Sequence, residues 1–329
     1  MIIAEIAQAH DGSLGILHSY IDALALTGID AVKFQTHIAD AESSAHEPFR
    51  IKFSYEDATR YDYWKRMEFT AEQWAGIKQH CDEKGLEFIS SPFSNAAVDL
   101  LENIGVNRYK VGSGEITNHL LLQKIALTQK PVILSSGMST WQELDDAVEI
   151  FQSRNIHVSV LQCITAYPSR PEQWGLDVIP QLKHRYKTTT GYSDHSGDIY
   201  ACLAAAALGA EIFEFHAVFD KRMFGPDAAA SITIDEIGRL TNGIHQIKQS
   251  LQHAGQKDIA GMQQMKSIFE KSLAVNQPLQ AGTVLEFKHL EAKKPKGYGL
   301  DAAGYKYVIG KKLRVDKQQW DFLQLTDVD

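Results

Sequence analysis

The chain has little cysteine: Cys81, Cys163 and Cys202 are scattered, and none forms a CxxC pair. This excludes a disulfide framework and a thiolate-built zinc site, and a reducing, cytoplasmic setting is the expectation. A positive charge excess is also missing. The formal net charge of -8 opposes nonspecific binding to nucleic acid or to an anionic membrane, so neither is an expected partner. Long apolar runs are absent too. The longest, residues 201–210, falls short of the roughly 20 residues that cross a bilayer. Residues 1–7 carry no basic leader and contain Glu5, which is wrong for a signal peptide. Neither a GxGxxG nor a P-loop motif occurs, which removes the usual nucleotide cradles.

What is present is regular. At 44% apolar and 22% charged residues the composition is that of an ordinary folded protein. Eight short apolar runs occur at 2–7, 31–36, 86–91, 108–112, 131–135, 157–163, 188–193 and 210–216. Amphipathic helical segments lie between and after them, at 14–27, 71–84, 95–104, 118–128, 140–153, 175–184, 197–208 and 234–252. Thr70, ahead of Glu72 and Gln73, and Ser139 or Thr140, ahead of Glu143, read as helix caps, and Gly28, Gly85, Gly105 and Gly209 as helix stops. Eight such units without a hairpin signal predict an α/β fold, a closed (β/α)8 TIM barrel rather than an open doubly wound sheet. A polar, aromatic insertion at 37–69 reads as a long loop that covers the site. The domains are expected at 1–255, with a linker at 256–266 and a small module at 267–329 that has strands at 272–275 and 308–315.

In such a barrel the reacting groups come from the C-terminal ends of the strands. Polar residues concentrate there: Glu5; Lys33 and Gln35; Ser91 and Phe93; Lys110, Ser113 and Glu115; Ser135; Thr165 and Tyr167; Ser193 and His195; His216. Lys33 and Lys110 lie inside apolar strands, where an ammonium must find anions. Two readings follow: salt bridges to Glu5 or Glu115, or an anion site built with the neighbouring hydroxyls. His195 and His216 end adjacent strands and can share a divalent ion, with Asp194 and Glu214 as supporting partners.

These residues, in this order, resemble the sialic acid synthase family. The resemblance is carried by Ile3-Ala4-Glu5-Ile6-Ala7 with His10-Asp11-Gly12, by Ala31-Val32-Lys33-Phe34-Gln35-Thr36, and by Phe88-Ile89-Ser90-Ser91-Pro92-Phe93. It continues in Tyr109-Lys110-Val111-Gly112-Ser113-Gly114-Glu115, Gly191-Tyr192-Ser193-Asp194-His195 and Gly225-Pro226-Asp227. The module at the end is similar to the antifreeze-protein-like (SAF) domain of these enzymes through Ala281-Gly282-Thr283, Lys293-Lys294-Pro295 and Ile309-Gly310-Lys311-Lys312.

The resemblance implies condensation of phosphoenolpyruvate with an N-acyl amino sugar, N-acetylmannosamine first, with release of phosphate. It implies that Lys33, Ser91, Lys110, Ser113, Ser135, Tyr167 and Ser193 hold phosphoenolpyruvate and that His195 and His216 hold Mn²⁺ or Mg²⁺. Glu5, Gln35, Glu115 and Asp227 would serve the sugar or its protons, Glu115 being the choice for proton transfer. It further implies a domain-swapped homodimer in which Lys294, where an arginine is usual, reaches the partner's site. Rival readings are a legionaminate or pseudaminate synthase using a diacetamido sugar, a sugar-6-phosphate version, a Schiff-base aldolase and a non-catalytic sugar-binding protein.

Overall fold

The computed structural model describes the 329-residue chain except residues 52, 253–256 and 258. It divides into two compact units, Met1–His253 and Ala254–Asp329. Among the described residues no helix is long and apolar enough to cross a membrane.

The first unit is a closed barrel of eight parallel strands: β1 (Ile2–Glu5), β2 (Ala31–Thr36), β3 (Glu87–Pro92), β4 (Tyr109–Val111), β5 (Val132–Ser135), β6 (Val158–Cys163), β7 (Thr190–Asp194) and β8 (Ile212–Val218). Each strand pairs with the next, and β1 closes on β8. Helix α1 (Leu14–Leu24) follows β1, and the insertion after β2 holds α2 (Ala39–Glu42) and α3 (Arg60–Met67). Then come α4 (Ala71–Glu83), α5 (Asn95–Ile104), α6 (His119–Leu127), α7 (Trp141–Gln152), α8 (Val178–Tyr186), α9 (Tyr200–Ala207) and, after the short β9 (Ile232–Thr233), α10 (Ile234–Gln252). The capping boxes at Thr70/Gln73 and Thr140/Glu143 are both formed.

Strand alternation divides the core in two. One face of each strand, with Val32, Phe34, Phe88, Tyr109, Val111 and Tyr192 among its residues, packs outward with the helices. The other face points into the barrel, where Ile3, Ala31, Ile89, Ile133, Leu161 and Ile212 form a separate dry plug. Burying such side chains stabilises the fold by about 1.5–3 kcal/mol each.

The insertion is not a structureless loop. Ala39, Tyr63, Trp64 and Met67 give it a small core of its own, and Arg66 ties it together by bonding both Asp57 and Asp11.

The second unit is built around Leu273, Val275, Leu279, Leu285, Val308, Leu313, Leu323 and Val328. Strand β10 (Ser272–Val275) lies where the apolar run predicts it, but its antiparallel partner is β11 (Leu290–Lys293). The run at 308–315 is not a strand; Lys312 and Leu313 make single bridges only, to Val284 and Val328. Part of the expected linker at 256–266 lies outside the described residues. The rest is a turn at Ala260–Met262 and the start of α11 (Gln263–Phe269).

Candidate active site

The period of two that builds the plug also builds the site above it. Two residues beyond Ile3, Ala31, Ile89, Ile133, Leu161 and Ile212 stand Glu5, Lys33, Ser91, Ser135, Cys163 and Glu214, all facing the same interior. Ser193 follows Gly191 in the same way, and Lys110 is the inward residue between Tyr109 and Val111. These residues line a cavity of about 240 Å³ with Gln35, Phe93, Ser113, Thr165, Tyr167, His195, His216 and Asp227. Fourteen residues expected at the site thus share one cavity: Glu5, Lys33, Gln35, Ser91, Phe93, Lys110, Ser113, Ser135, Thr165, Tyr167, Ser193, His195, His216 and Asp227.

The buried charges are arranged around two carboxylates. Lys33 Nζ donates to Glu5 Oε1 at 2.7 Å and lies 3.4 Å from Glu214 Oε1, which is also 3.3 Å from Lys110 Nζ. Ser193 Oγ donates to the same oxygen at 3.1 Å. Burial opposes ionisation of Lys33, but Glu214 and Glu5 outweigh it and raise its pKa. Lys110 goes the other way: burial, with Lys33 adding to it, lowers its pKa despite Glu214. Burial also works against the Glu5 carboxylate, yet Lys33 and His216 hold it well below the usual range.

Several buried polar atoms on this wall have no hydrogen-bond partner: Ser91 Oγ, Ser135 Oγ and Glu214 Oε2. Such groups cost about 1–3 kcal/mol when left unsatisfied, so their concentration in one cavity marks a place made for a polar ligand. Ser113 Oγ accepts from Gly137 N–H at 3.0 Å. A side chain at Gly137 would come within 2.7 Å of Ser113 Oγ and 2.6 Å of Thr165 Oγ1.

The histidines meet as the topology requires, with ring centroids 5.4 Å apart. Tyr167 stacks on His195 at 4.0 Å and stands edge-on to His216 at 5.8 Å. His195 Nδ1 donates to the Ile164 carbonyl at 2.7 Å. A carbonyl only accepts, so Nδ1 carries a proton and Nε2 is the ring nitrogen that faces a ligand. Burial pulls this imidazole down, but the Cys163 sulfur and the Ile164 carbonyl outweigh it and raise its pKa to about 9. His216 is lowered by burial, and its Nε2 lies 3.2 Å from Glu5 Oε2. Among the described residues no group of three or more His, Cys, Asp and Glu side chains is arranged to hold a metal ion.

Three expectations change. Glu115 is not in the cavity wall: Asn118 Nδ2 donates to its carboxylate at 2.8 Å. Burial, then Glu42, raises its pKa. Glu214 supports the lysines rather than the histidines, and Glu115 makes no bridge to either lysine. Asp194 bonds Ser196 N–H at 2.8 Å and Ser196 Oγ at 3.0 Å, so the Ile164 carbonyl orients His195 instead. Lys294 lies in the second unit, with Nζ 4.9 Å from the centre of the Phe269 ring.

Other lining residues escaped the sequence reading, notably Gln8, Arg50 and Arg60. Gln8 Nε2 donates to Gln35 Oε1, and Gln35 Nε2 donates to Glu5 Oε1 at 2.7 Å, which extends the carboxylate network outward. The arginines come from the insertion, which spans the mouth of the barrel and docks on the loop after β8. Arg50 bonds Asp227 at 2.5 Å and the Pro226 carbonyl at 3.1 Å, while Phe53 and Tyr55 meet Phe224 at 5.7 and 6.1 Å.

Comparison with known proteins agrees with this architecture. The NeuB family model matches residues 20–256. The N,N'-diacetyllegionaminic acid synthase of Campylobacter jejuni is 32% identical over 317 residues, covering 94% of this chain and 95% of its own. The N-acetylneuraminate-9-phosphate synthase of Homo sapiens is 29% identical, covering 100% and 92%. Among solved structures, the N-acetylneuraminic acid synthetase of Leptospira borgpetersenii in complex with citrate superposes with a TM-score of 0.72. It is 30% identical and covers 80% of this chain and 89% of that one.

Proposed function

The chain belongs to the NeuB family of nonulosonic acid synthases, and from that premise we propose that it joins phosphoenolpyruvate to an N-acylated amino sugar and releases phosphate. N-acetylmannosamine is the parent acceptor, with N-acetylneuraminate as product. One observation carries the reading: Lys33 and Lys110 stand at the cavity floor with the unpartnered hydroxyls of Ser91 and Ser135. Cations neutralise a phosphate and a carboxylate, and hydroxyls orient them. The donor phosphoenolpyruvate therefore belongs on the floor, with Ser113, Ser193 and Tyr167 beside it.

The donor set also suits a divalent cation, Mn²⁺ or Mg²⁺, on His195 and His216, because the Ile164 carbonyl occupies His195 Nδ1 and leaves Nε2 as the nitrogen that would bind the ion once it gives up its proton. When bound, such an ion supplies Lewis-acid polarisation of the sugar aldehyde and lowers the pKa of bound water. The protein's own residues do the rest. Glu214 and Glu5 hold the lysines in place, Gln35 and Asp227 take sugar hydroxyls, Thr165 and Phe93 complete the wall, and Glu5, paired with Lys33 and beside His216, faces the sugar as a carboxylate. Glu115, outside the wall, acts on the sugar only by rearrangement of the Ser113–Glu115 turn.

For the second unit the proposal is an antifreeze-protein-like domain that reaches across a swapped dimer and brings Lys294 to the partner's N-acyl group. Sedimentation of the full chain as a dimer, with a raised KM for the sugar in K294A, supports this; a monomer with full activity refutes it.

The central test is phosphate release from phosphoenolpyruvate with N-acetylmannosamine and Mn²⁺. A loss of at least about 100-fold is expected in H195A or H216A; full activity in both would sink the metal assignment. A second reading, a Schiff-base aldolase, draws support from the lowered pKa of Lys110, which suits a nucleophilic amine. Borohydride trapping of substrate on Lys110 without any metal requirement would favour it.

A further inference from the structure

Behind the cavity wall lies a buried ring whose neighbours are fully defined. His37, the residue after β2, is 4% exposed and does not itself line the cavity. Its imidazole is sandwiched between Trp64 of α3, with centroids 3.8 Å apart, and Phe93 at 4.6 Å, both rings nearly parallel to it. Stacking on both faces fixes the ring plane, so the partners at its edge decide what it does. On one edge Nδ1 lies 2.6 Å from Oε1 of Glu42, the last residue of α2. On the other, Nε2 lies 3.1 Å from Gln8 Nε2 and 3.2 Å from Gln35 Oε1.

The donors and acceptors give this chain one direction. Glu5 and Glu42 close its two ends, and a carboxylate only accepts. Gln35 Nε2 therefore donates to Glu5 Oε1 at 2.7 Å, which turns Gln35 Oε1 towards its own donor, Gln8 Nε2. An amide nitrogen only donates, so the second Gln8 hydrogen goes to His37 Nε2, and the imidazole proton sits on Nδ1 and is donated to Glu42. His37 Nε2 and Gln35 Oε1 are then two acceptors that share one donor group. Both hydrogens of the Gln8 amide are used in this chain. Its oxygen, Oε1, has no hydrogen-bond partner among the described residues, and Gln8 lines the cavity. Turning the amide over would set that oxygen against Gln35 Oε1 and the His37 lone pair.

Resting on the condensation reading above, we propose that His37, oriented by Glu42, is a positioning residue that locks the Gln8 amide so that its oxygen accepts from a hydroxyl or amide N–H of the acceptor sugar. Gln8 is thereby a specificity-determining residue. Phosphoenolpyruvate, held by the lysines and hydroxyls, does not depend on it.

The test is steady-state phosphate release from phosphoenolpyruvate with N-acetylmannosamine and Mn²⁺, with thermal melts of each variant. His37→Phe keeps the aromatic stack and removes both nitrogens. It should raise KM for the sugar by about tenfold, the loss of one oriented hydrogen bond, and leave kcat and KM for phosphoenolpyruvate nearly unchanged. H37Q, which can return an acceptor near the place of Nε2, should recover part of that loss. Q8L should match H37F, and the double variant should be no worse than Q8L alone, because both act through one amide. An unchanged sugar KM in H37F, an equal rise in KM for both substrates, additive losses in the double variant, or no recovery in H37Q overturns the positioning role while leaving condensation intact. If no phosphate is released, the condensation reading fails instead. Imidazole ¹⁵N shifts, assigned by difference from H37F, then decide the network: a proton on Nδ1 with a bare Nε2 supports it, and a proton on Nε2 refutes it.

Discussion

Lys110 Nζ lies 3.3 Å from Glu214 Oε1, and both side chains are 2% exposed. The same oxygen is 3.4 Å from Lys33, so one carboxylate serves two ammonium groups. Only Lys33 has a second carboxylate, Glu5. Replacing Glu214 with glutamine should therefore strand Lys110 more than Lys33. Breaking a buried pair by removing one partner typically costs about 3–5 kcal/mol, and the urea midpoint of E214Q should fall accordingly. A midpoint equal to the wild type would show that the lysines are solvated by other means.

Much of this arrangement was legible in the sequence because strands impose a period of two. The apolar runs at 31–36 and 210–216 already place Lys33 and His216 on inward faces. Helices at 95–104 and 234–252 appear at the bounds their patterns predict. The failures have identifiable causes. Beyond β4 the chain enters a tight turn at Ser113–Glu115, so alternation no longer predicts where Glu115 points. Glu214 is two residues from His216, which suggested partnership, but the register Ser193 to Glu214 sets it among the lysines. Arg50 lies outside any helix or strand, and Arg60 opens the two-turn α3 inside an insertion that reads as a loop. Nothing in their spacing indicates that the insertion folds over the barrel mouth.

Folding should weaken in acid through His10. Its ring packs against Phe69 with centroids 5.0 Å apart, and its Nδ1 accepts from Gly12 N–H at 3.0 Å. Burial, then the charges of His37 and Arg66, lowers its pKa to about 3 from an ordinary 6.5. Between those values the unfolded chain binds a proton that the folded chain refuses. This contribution is thus complete above pH 6.5 and declines as pH falls towards 3, by up to about 1.4 kcal/mol per pH unit. His10→Asn keeps an acceptor for Gly12 and removes the titration. Urea midpoints at pH 7 and pH 4.5 should then differ less in the variant, by about 2 kcal/mol of unfolding free energy. Parallel pH profiles would exclude His10 as the source.

Gly191 and Gly137 should respond differently to alanine. At Gly191 an added Cβ would lie 2.1 Å from the Ile212 carbonyl oxygen and 2.6 Å from a Leu161 methyl, so β7 and β8 must separate. A loss of about 3 kcal/mol or more, or failure to accumulate folded protein, is expected. At Gly137 the contacts are the Ser113 and Thr165 hydroxyls and, at 3.2 Å, the Cys163 sulfur. G137A should therefore fold, with a higher KM for phosphoenolpyruvate as its main defect. Steady-state kinetics beside thermal melts separate these outcomes, and equal stability of the two variants would contradict the geometry.

Ser91 and Ser135 allow the sharpest separation of function from stability. Each is 2% exposed, and each hydroxyl oxygen lacks a hydrogen-bond partner. A buried hydroxyl that stabilised the fold would be expected to make a hydrogen bond, and its removal would then cost about 1 kcal/mol. Here alanine removes an unsatisfied group, so S91A and S135A should melt at or above the wild-type temperature without ligand. Their affinity for phosphoenolpyruvate should nevertheless fall by about tenfold each, the loss of one hydrogen bond to a charged oxygen. Calorimetry with phosphoenolpyruvate alone measures this without turnover. Destabilisation without loss of affinity would make the hydroxyls structural, whereas loss of affinity at unchanged stability would identify the cavity floor as the donor site.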